Sequence, residues 1–161
     1  MKQQWTTADL CDEHGDAVQA CEVQFHSFAK RAAFCGPATT ISAFEDNVLA
    51  RQRLSMPGQG HILIVDGAGS MRCALVGDTL AGLAAQNDWA GIVVHGAVRD
   101  TTAVAGIDTG VLACGRSPRK CFTNGHGREN VDLAFGGLRI SPGAWIYCDS
   151  DGMVVADREI A

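Results

Sequence analysis

Between residues 61 and 94 the chain alternates apolar, β-branched runs with one amphipathic stretch, and this alternation restricts the fold more than any other feature. His61, Ile62, Leu63, Ile64 and Val65 form a run without polar interruption, the pattern of a buried strand. Residues 66–69 (Asp, Gly, Ala, Gly) read as a turn, residues 73–76 as a second strand and residues 91–94 as a third. In between, residues 78–87 set Leu80, Leu83 and Ala84 on one helical face. This is α/β punctuation.

The flanks extend the pattern. Residues 7–13 predict a short helix, with Thr6 or Thr7 as its cap and acidic residues in its early turns. Residues 38–44 are rich in β-branched side chains and predict a strand, with Gly36 and Pro37 marking its start; residues 45–56 then predict a helix that Pro57 and Gly58 end. After Thr109 the chain turns to short strands at 131–135, 138–140, 144–148 and 153–156, a β-rich second half. No repeat or linker interrupts it, so the 161 residues suit a single domain spanning 1–161.

Composition excludes several classes of function. With 47% hydrophobic and 19% charged residues and no apolar run of eighteen, the chain predicts a protein without membrane spans. The start, Met1 to Trp5, is followed by acidic polar sequence rather than an apolar signal core, which makes the cytoplasm the expected location. Net charge is −5, and the basic residues are scattered apart from Arg116, Arg119 and Lys120; a phosphate-tracking stripe is absent and direct nucleic-acid binding is not expected. The seven cysteines include no Cys-x-x-Cys pair, so reduced, largely buried thiols are the expectation.

Two places carry candidate chemistry. Gly77, Asp78, Thr79 and Leu80 lie where a strand passes into a helix: Gly77 permits a close turn, Asp78 or Thr79 can cap, and first-turn N–H groups suit a carboxylate or phosphate. Arg99 and Asp100 follow the strand at 91–94 through an expected turn at 95–98, beyond a strand's carboxyl end, where α/β sites form. Asp100 offers a hard oxygen ligand to Mg²⁺ or Mn²⁺, and Arg99 a forked, permanent cation. A plain helix cap and a surface ion pair would use the same residues; their joint occurrence favours a site. The turn from Gly67 to Arg72 lacks the third glycine of a dinucleotide fingerprint and no helix is expected to open there. A Schiff base needs a desolvated lysine, yet the chain has only Lys2, Lys30 and Lys120, the last two beside Arg31 and Arg119, so the residues point to metal-dependent rather than lysine chemistry. The five histidines show no metal-binding spacing; His95, four residues from Arg99, is the one to watch.

Asp78, the twenty residues that follow it, and Arg99-Asp100, together with Val65 to Arg72, Phe44 to Asn47, Phe135 to Leu138 and Asp151-Gly152, resemble one family across nearly the whole chain. It is the family that contains the regulator of ribonuclease activity A and the 4-hydroxy-4-methyl-2-oxoglutarate aldolases. The resemblance implies a compact α/β domain with a β-sandwich-like, swivelling β/β/α core, forming homotrimers with active sites at subunit clefts. It implies catalytic roles for Asp78 and Arg99, substrate binding by Gly77, Asp78, Thr79, Leu80 and Arg99, and a divalent cation, Mg²⁺ or Mn²⁺, on Asp100. The implied reaction is cleavage of a 2-oxo acid to pyruvate with oxaloacetate decarboxylation beside it. The other branch of the family implies a different role, a non-catalytic regulator that docks on a ribonuclease. Two departures touch substrate preference and packing: Pro142-Gly143 is followed by Ala144, and His95 precedes Gly96.

Overall fold

The structure is a computed structural model that describes residues 4–161. The first half runs α1 (Thr7–His14), β1 (Val18–Ala20), β2 (His26–Ser27), β3 (Phe34–Ser42), α2 (Val48–Leu54), β4 (Ile62–Asp66), β5 (Ala74–Val76) and α3 (Asp78–Gln86). The second runs β6 (Gly91–Val98), α4 (Thr101–Val104), β7 (Gly110–Arg116), β8 (Arg128–Glu129), β9 (Leu133–Phe135), β10 (Leu138–Ile140), β11 (Trp145–Asp149) and β12 (Gly152–Ala156).

The principal sheet is ordered β1-β12-β11-β3-β4-β6-β7-β2, with β5 added to β6 and β8 to β3. The β3, β4, β6 and β7 neighbours are parallel, and β11, β12 and β1 continue the sheet antiparallel. Parallel strands are covered on both faces, and β4 shows why its sequence does not alternate. Leu63 and Val65 pack with Leu54, Leu80 and Ala84 on the helical side, while Ile62 and Ile64 pack with Ile140, Ile146 and Val155 from the β-rich half. The sheet therefore folds over onto its own C-terminal strands, the sandwich-like core the resemblance implies. Leu10 of α1 closes the outer face of β11 and β12 against Tyr147 and Val154.

Several boundaries differ from expectation. β3 begins at Phe34 and runs through Gly36 and Pro37. Ala38 N–H donates toward β11 through Ala144 O, so the nitrogen of Pro37 faces the opposite flank, where pairing with β4 starts only at Ala38 and Ile62. A missing donor there breaks no ladder bond. Helix α2 is shorter than residues 45–56, because Glu45 adopts a left-handed conformation (φ 53°) and Asp46 bridges to Phe122. The expected turn at 95–98 is strand: β6 continues to Val98, held between β5 and β7. β7 itself, a central strand, was not anticipated. No helix among the described residues is long and apolar enough to cross a membrane.

The expectation of seven reduced thiols is corrected at one pair. Cys73 and Cys121 form a disulfide with Cα atoms 4.9 Å apart, tying the start of β5 to the segment after β7. The other five cysteines are unpaired. Burial raises the thiols of Cys21, Cys35, Cys114 and Cys148 above the ordinary range, which keeps them protonated and poor nucleophiles.

Candidate active site

The geometry of β6 brings the two candidate segments together. Val98 pairs with Val76 of β5 on one flank and with Arg116 of β7 on the other, and Arg99 N–H donates to Val76 O at 3.0 Å. Residues 77 and 99–100 thus leave adjacent parallel strands at the same level. Asp100 has φ 55° and ψ 38°, a left-handed conformation unfavourable for most residues other than glycine and asparagine, and it stands at the N-cap of α4. A Cβ built on Gly77 would lie 2.7 Å from Asp100 Oδ2 and 3.4 Å from Arg99 Cγ. The carboxylate of Asp100 is therefore seated against the bare Cα of Gly77, a place that no other side chain at position 77 would leave open.

Arg99 Nε lies 3.7 Å from Asp100 Oδ2, with both side chains partly exposed. Together with Val98, Thr101, Arg116 and Ser117 they line a cavity of about 210 Å³. Gly77, not Asp78 or Thr79 as expected, is the N-cap of α3, and no side chain caps the helix. Asp78 is the first helical residue, and its Oδ1 accepts from Thr79 N–H at 2.9 Å. The N–H groups of Asp78 and Leu80 have no acceptor within the helix, so they remain available to an anion. Asp78 and Thr79 are exposed, whereas the Leu80 side chain is 2% exposed and belongs to the core. Leu80 can contribute its backbone alone.

Among the described residues no group of three or more His, Cys, Asp or Glu side chains is arranged to hold a metal ion. A divalent ion here would rest on one carboxylate, Asp100, with water and substrate oxygens completing its shell. That is the ordinary manner of Mg²⁺ binding, and the hard oxygen donor suits it.

Sequence reasoning singled out His95 but passed over its partner Asp66 at the same end of the sheet. Asp66 Oδ1 accepts from His95 Nδ1 at 2.8 Å and from Ala68 N–H at 2.9 Å, and His95 stacks on Phe135 at 4.5 Å between ring centroids. Burial alone would raise the Asp66 carboxyl, yet these hydrogen bonds outweigh it and hold the group below its usual value. The loop from Gly67 to Gly69 closes on the same residue, since both glycine N–H groups donate to His95 O. No helix opens after it; the next element is β5. His95, the histidine singled out for its nearness in sequence to Arg99, is thus half-buried and engaged with Asp66 and Phe135. A larger cavity of about 910 Å³ lies beside the disulfide, lined by Glu45, Arg72, Arg119, Lys120 and Phe122 among others. It contains none of the residues singled out at the strand ends.

Comparison with known proteins gives one family and one fold under several functional descriptions. A family model described as RraA-like, Aldolase/RraA, matches residues 7–155. A protein of Aromatoleum aromaticum named "Putative 4-hydroxy-4-methyl-2-oxoglutarate aldolase" is 46% identical over 98% of this chain and 99% of its own length. One of the same name from Alkalilimnicola ehrlichii is 49% identical over 96% of each. Among solved structures, one described as an S-adenosylmethionine:2-dimethylmenaquinone methyltransferase from Geobacillus kaustophilus superposes with a TM-score of 0.95 at 44% identity, over 97% of both chains. The RNA-processing inhibitor RraA from Thermus thermophilus superposes with a TM-score of 0.94 at 39% identity, over 99% of this chain and 96% of that one.

Proposed function

Because this chain belongs to the RraA-like family of aldolases and RraA proteins, we propose that it is a divalent-metal-dependent carbon–carbon lyase acting in the cytoplasm. Its substrate is 4-hydroxy-4-methyl-2-oxoglutarate or a related 4-hydroxy-2-oxo acid, cleaved to pyruvate, with oxaloacetate decarboxylation as a side activity. The observation that carries this reading is the seat of Asp100: a carboxylate beside a fixed cation, in a left-handed conformation, over the Cα of Gly77.

The residues divide the work by chemistry. Asp78 and Leu80 N–H groups bind the substrate carboxylate at the positive end of α3. Asp100 holds Mg²⁺ or Mn²⁺, which supplies Lewis acidity toward the 2-oxo group. Arg99 stabilises the negative charge that develops on the 2-oxo oxygen as the C3–C4 bond breaks. Asp78, an exposed carboxylate at the start of α3, takes the C4 hydroxyl proton through water and returns a proton to C3. One substrate thus yields two pyruvates with no net change of protons. Loss of CO₂ from oxaloacetate develops the same charge on the same oxygen, so one set of residues serves both reactions.

A homotrimer belongs to the same reading. Phe44, Met71 and Phe122 are large apolar side chains left exposed on this chain, and contact between copies would cover them. The methyltransferase description attached to one similar structure finds no counterpart in the glycine loop, whose Gly67 and Gly69 N–H groups are already spent on His95.

Similarity to the Thermus inhibitor favours one other reading, a regulator that docks on a ribonuclease through protein contact. The net charge of −5 suits docking on a basic, RNA-binding segment. Purified protein should release pyruvate from 4-hydroxy-4-methyl-2-oxoglutarate and from oxaloacetate with Mg²⁺ or Mn²⁺, and stop when a chelator is added. Silence on both substrates, with ribonuclease inhibition intact in Arg99→Ala protein, would replace the lyase by the regulator.

A further inference from the structure

We propose that Arg116 binds the distal carboxylate of the substrate, so that the site selects dicarboxylic 2-oxo acids over monocarboxylic ones. The inference rests on the lyase reading and adds a residue to it. Val98 lies between Val76 and Arg116 in the sheet, so the start of α3 and Arg116 flank Arg99 and Asp100 on opposite sides. Neighbouring strands are about 4.8 Å apart, which puts the two flanks about 10 Å apart at backbone level. Helix amides on one side and a long guanidinium on the other can converge on the two ends of a five-carbon diacid lying across Asp100.

The charges around the site leave this task to Arg116. Arg99 faces Asp100, while Arg116, the other arginine lining the cavity of about 210 Å³, has no carboxylate within ion-pair distance among the described residues; the neighbouring Arg119 and Lys120, likewise without one, line the cavity beside the disulfide instead. The side chain of Arg116 is exposed. It lines the cavity of about 210 Å³ with Arg99 and Asp100, and also a neighbouring one of about 610 Å³ that shares Thr101 as a wall. In that second space Arg116 is the one permanently charged lining residue, beside His26, Thr102 and Cys114. A carboxylate projecting past Asp100 meets a planar, forked cation with unspent donors.

The test compares 4-hydroxy-4-methyl-2-oxoglutarate with 4-hydroxy-4-methyl-2-oxopentanoate, in which a methyl group replaces the distal carboxylate. Arg116→Ala should lower kcat/KM for the diacid by about 10- to 100-fold, mostly through KM, and change the monoacid by less than about threefold. Arg116→Lys should restore part of the loss. Calorimetry with Mn²⁺ supplies a readout without turnover: the same variant should weaken binding of 2-oxoglutarate and leave 2-oxopentanoate unaffected. Equal effects on diacid and monoacid, or none, overturn the assignment of Arg116. Discrimination in binding that disappears in Arg116→Ala protein, with no pyruvate from either substrate, would sustain Arg116 and sink the lyase reading alone.

Discussion

Two sets of aspartates in this molecule meet opposite fates. Asp46, Asp66 and Asp149 are committed to the fold. Asp46 accepts N–H bonds from Val48, Asn124 and Gly125 at 2.8–3.1 Å, and Asp149 takes the N–H and hydroxyl of Thr7, both at 2.7 Å, and Asp151 N–H at 2.9 Å. Asp66 is satisfied by His95 and Ala68. Asp78 and Asp100 are exposed, and their internal partners are few: Thr79 N–H for the first, a distant Arg99 Nε for the second. A carboxylate whose lone pairs are filled by backbone donors staples a loop and has nothing left for a ligand. One held in place by backbone conformation with its oxygens free can take a cation or move a proton.

The contrast can be broken most strongly at the free set. Asp100→Asn should cut pyruvate release by at least about a hundredfold with little change in thermal midpoint. Gly77→Ala should act in the same direction, because the new Cβ would stand 2.7 Å from Asp100 Oδ2 and push that carboxylate away. A displacement of about 1 Å costs about a hundredfold in rate. Turnover measured beside the melting curve checks both, and an unchanged rate in Gly77→Ala would remove the Gly77 seat from the site.

Changes to the structural set should reverse that profile. Reduction of Cys73–Cys121 should lower unfolding free energy by about 2–4 kcal/mol, read as a shift in denaturant midpoint with and without a dithiol. Asp46→Ala leaves the N–H groups of Asn124 and Gly125 without their acceptor and should cost about 1–3 kcal/mol, with kcat at saturating substrate within about twofold of the parent. Acid should act in the same way and more weakly. For Asp46 and Asp66 burial works to raise the carboxyl, but donated hydrogen bonds win and hold both below the usual 3.8. A group depressed in the fold contributes stability that is complete above its unfolded value and lost as pH falls through its folded one. The stability lost to these two groups should therefore appear below about pH 4, and Asp66→Asn should flatten that part of the profile.

How far the sequence reveals these two sets follows from their physics. Helix α3, strand β5 and the hairpin of β9 and β10 are legible because burial imposes a period on them. Asp78 and Asp100 stand out in the sequence too, the first because Gly77-Asp78 directly follows an apolar strand and the second because Arg99-Asp100 lies beyond a strand's carboxyl end, although the strand runs on to Val98 where a turn was expected. The far half of β6 is not legible: His95 and Gly96 read as a turn, and only the flanking β5 and β7, remote in sequence, make them strand. The disulfide joins residues 48 positions apart with no local motif to announce it. Asp66 reads as a turn residue and Asp46 as part of a helix, and their partners at 95 and 124–125 are supplied by the tertiary fold. Leu80 shows a finer limit, because its helical position was legible while the division between a buried side chain and an available N–H was not.

Mn²⁺ binding, followed by electron paramagnetic resonance, addresses the division between free and committed carboxylates most directly, in the parent protein, Asp100→Asn and Asp66→Asn. The expected result is one site in the parent that persists in Asp66→Asn and is lost in Asp100→Asn, with all three proteins folded. Retention of that site in Asp100→Asn, or its loss in Asp66→Asn alone, would contradict the assignment of Asp100 as the carboxylate kept free for the cation.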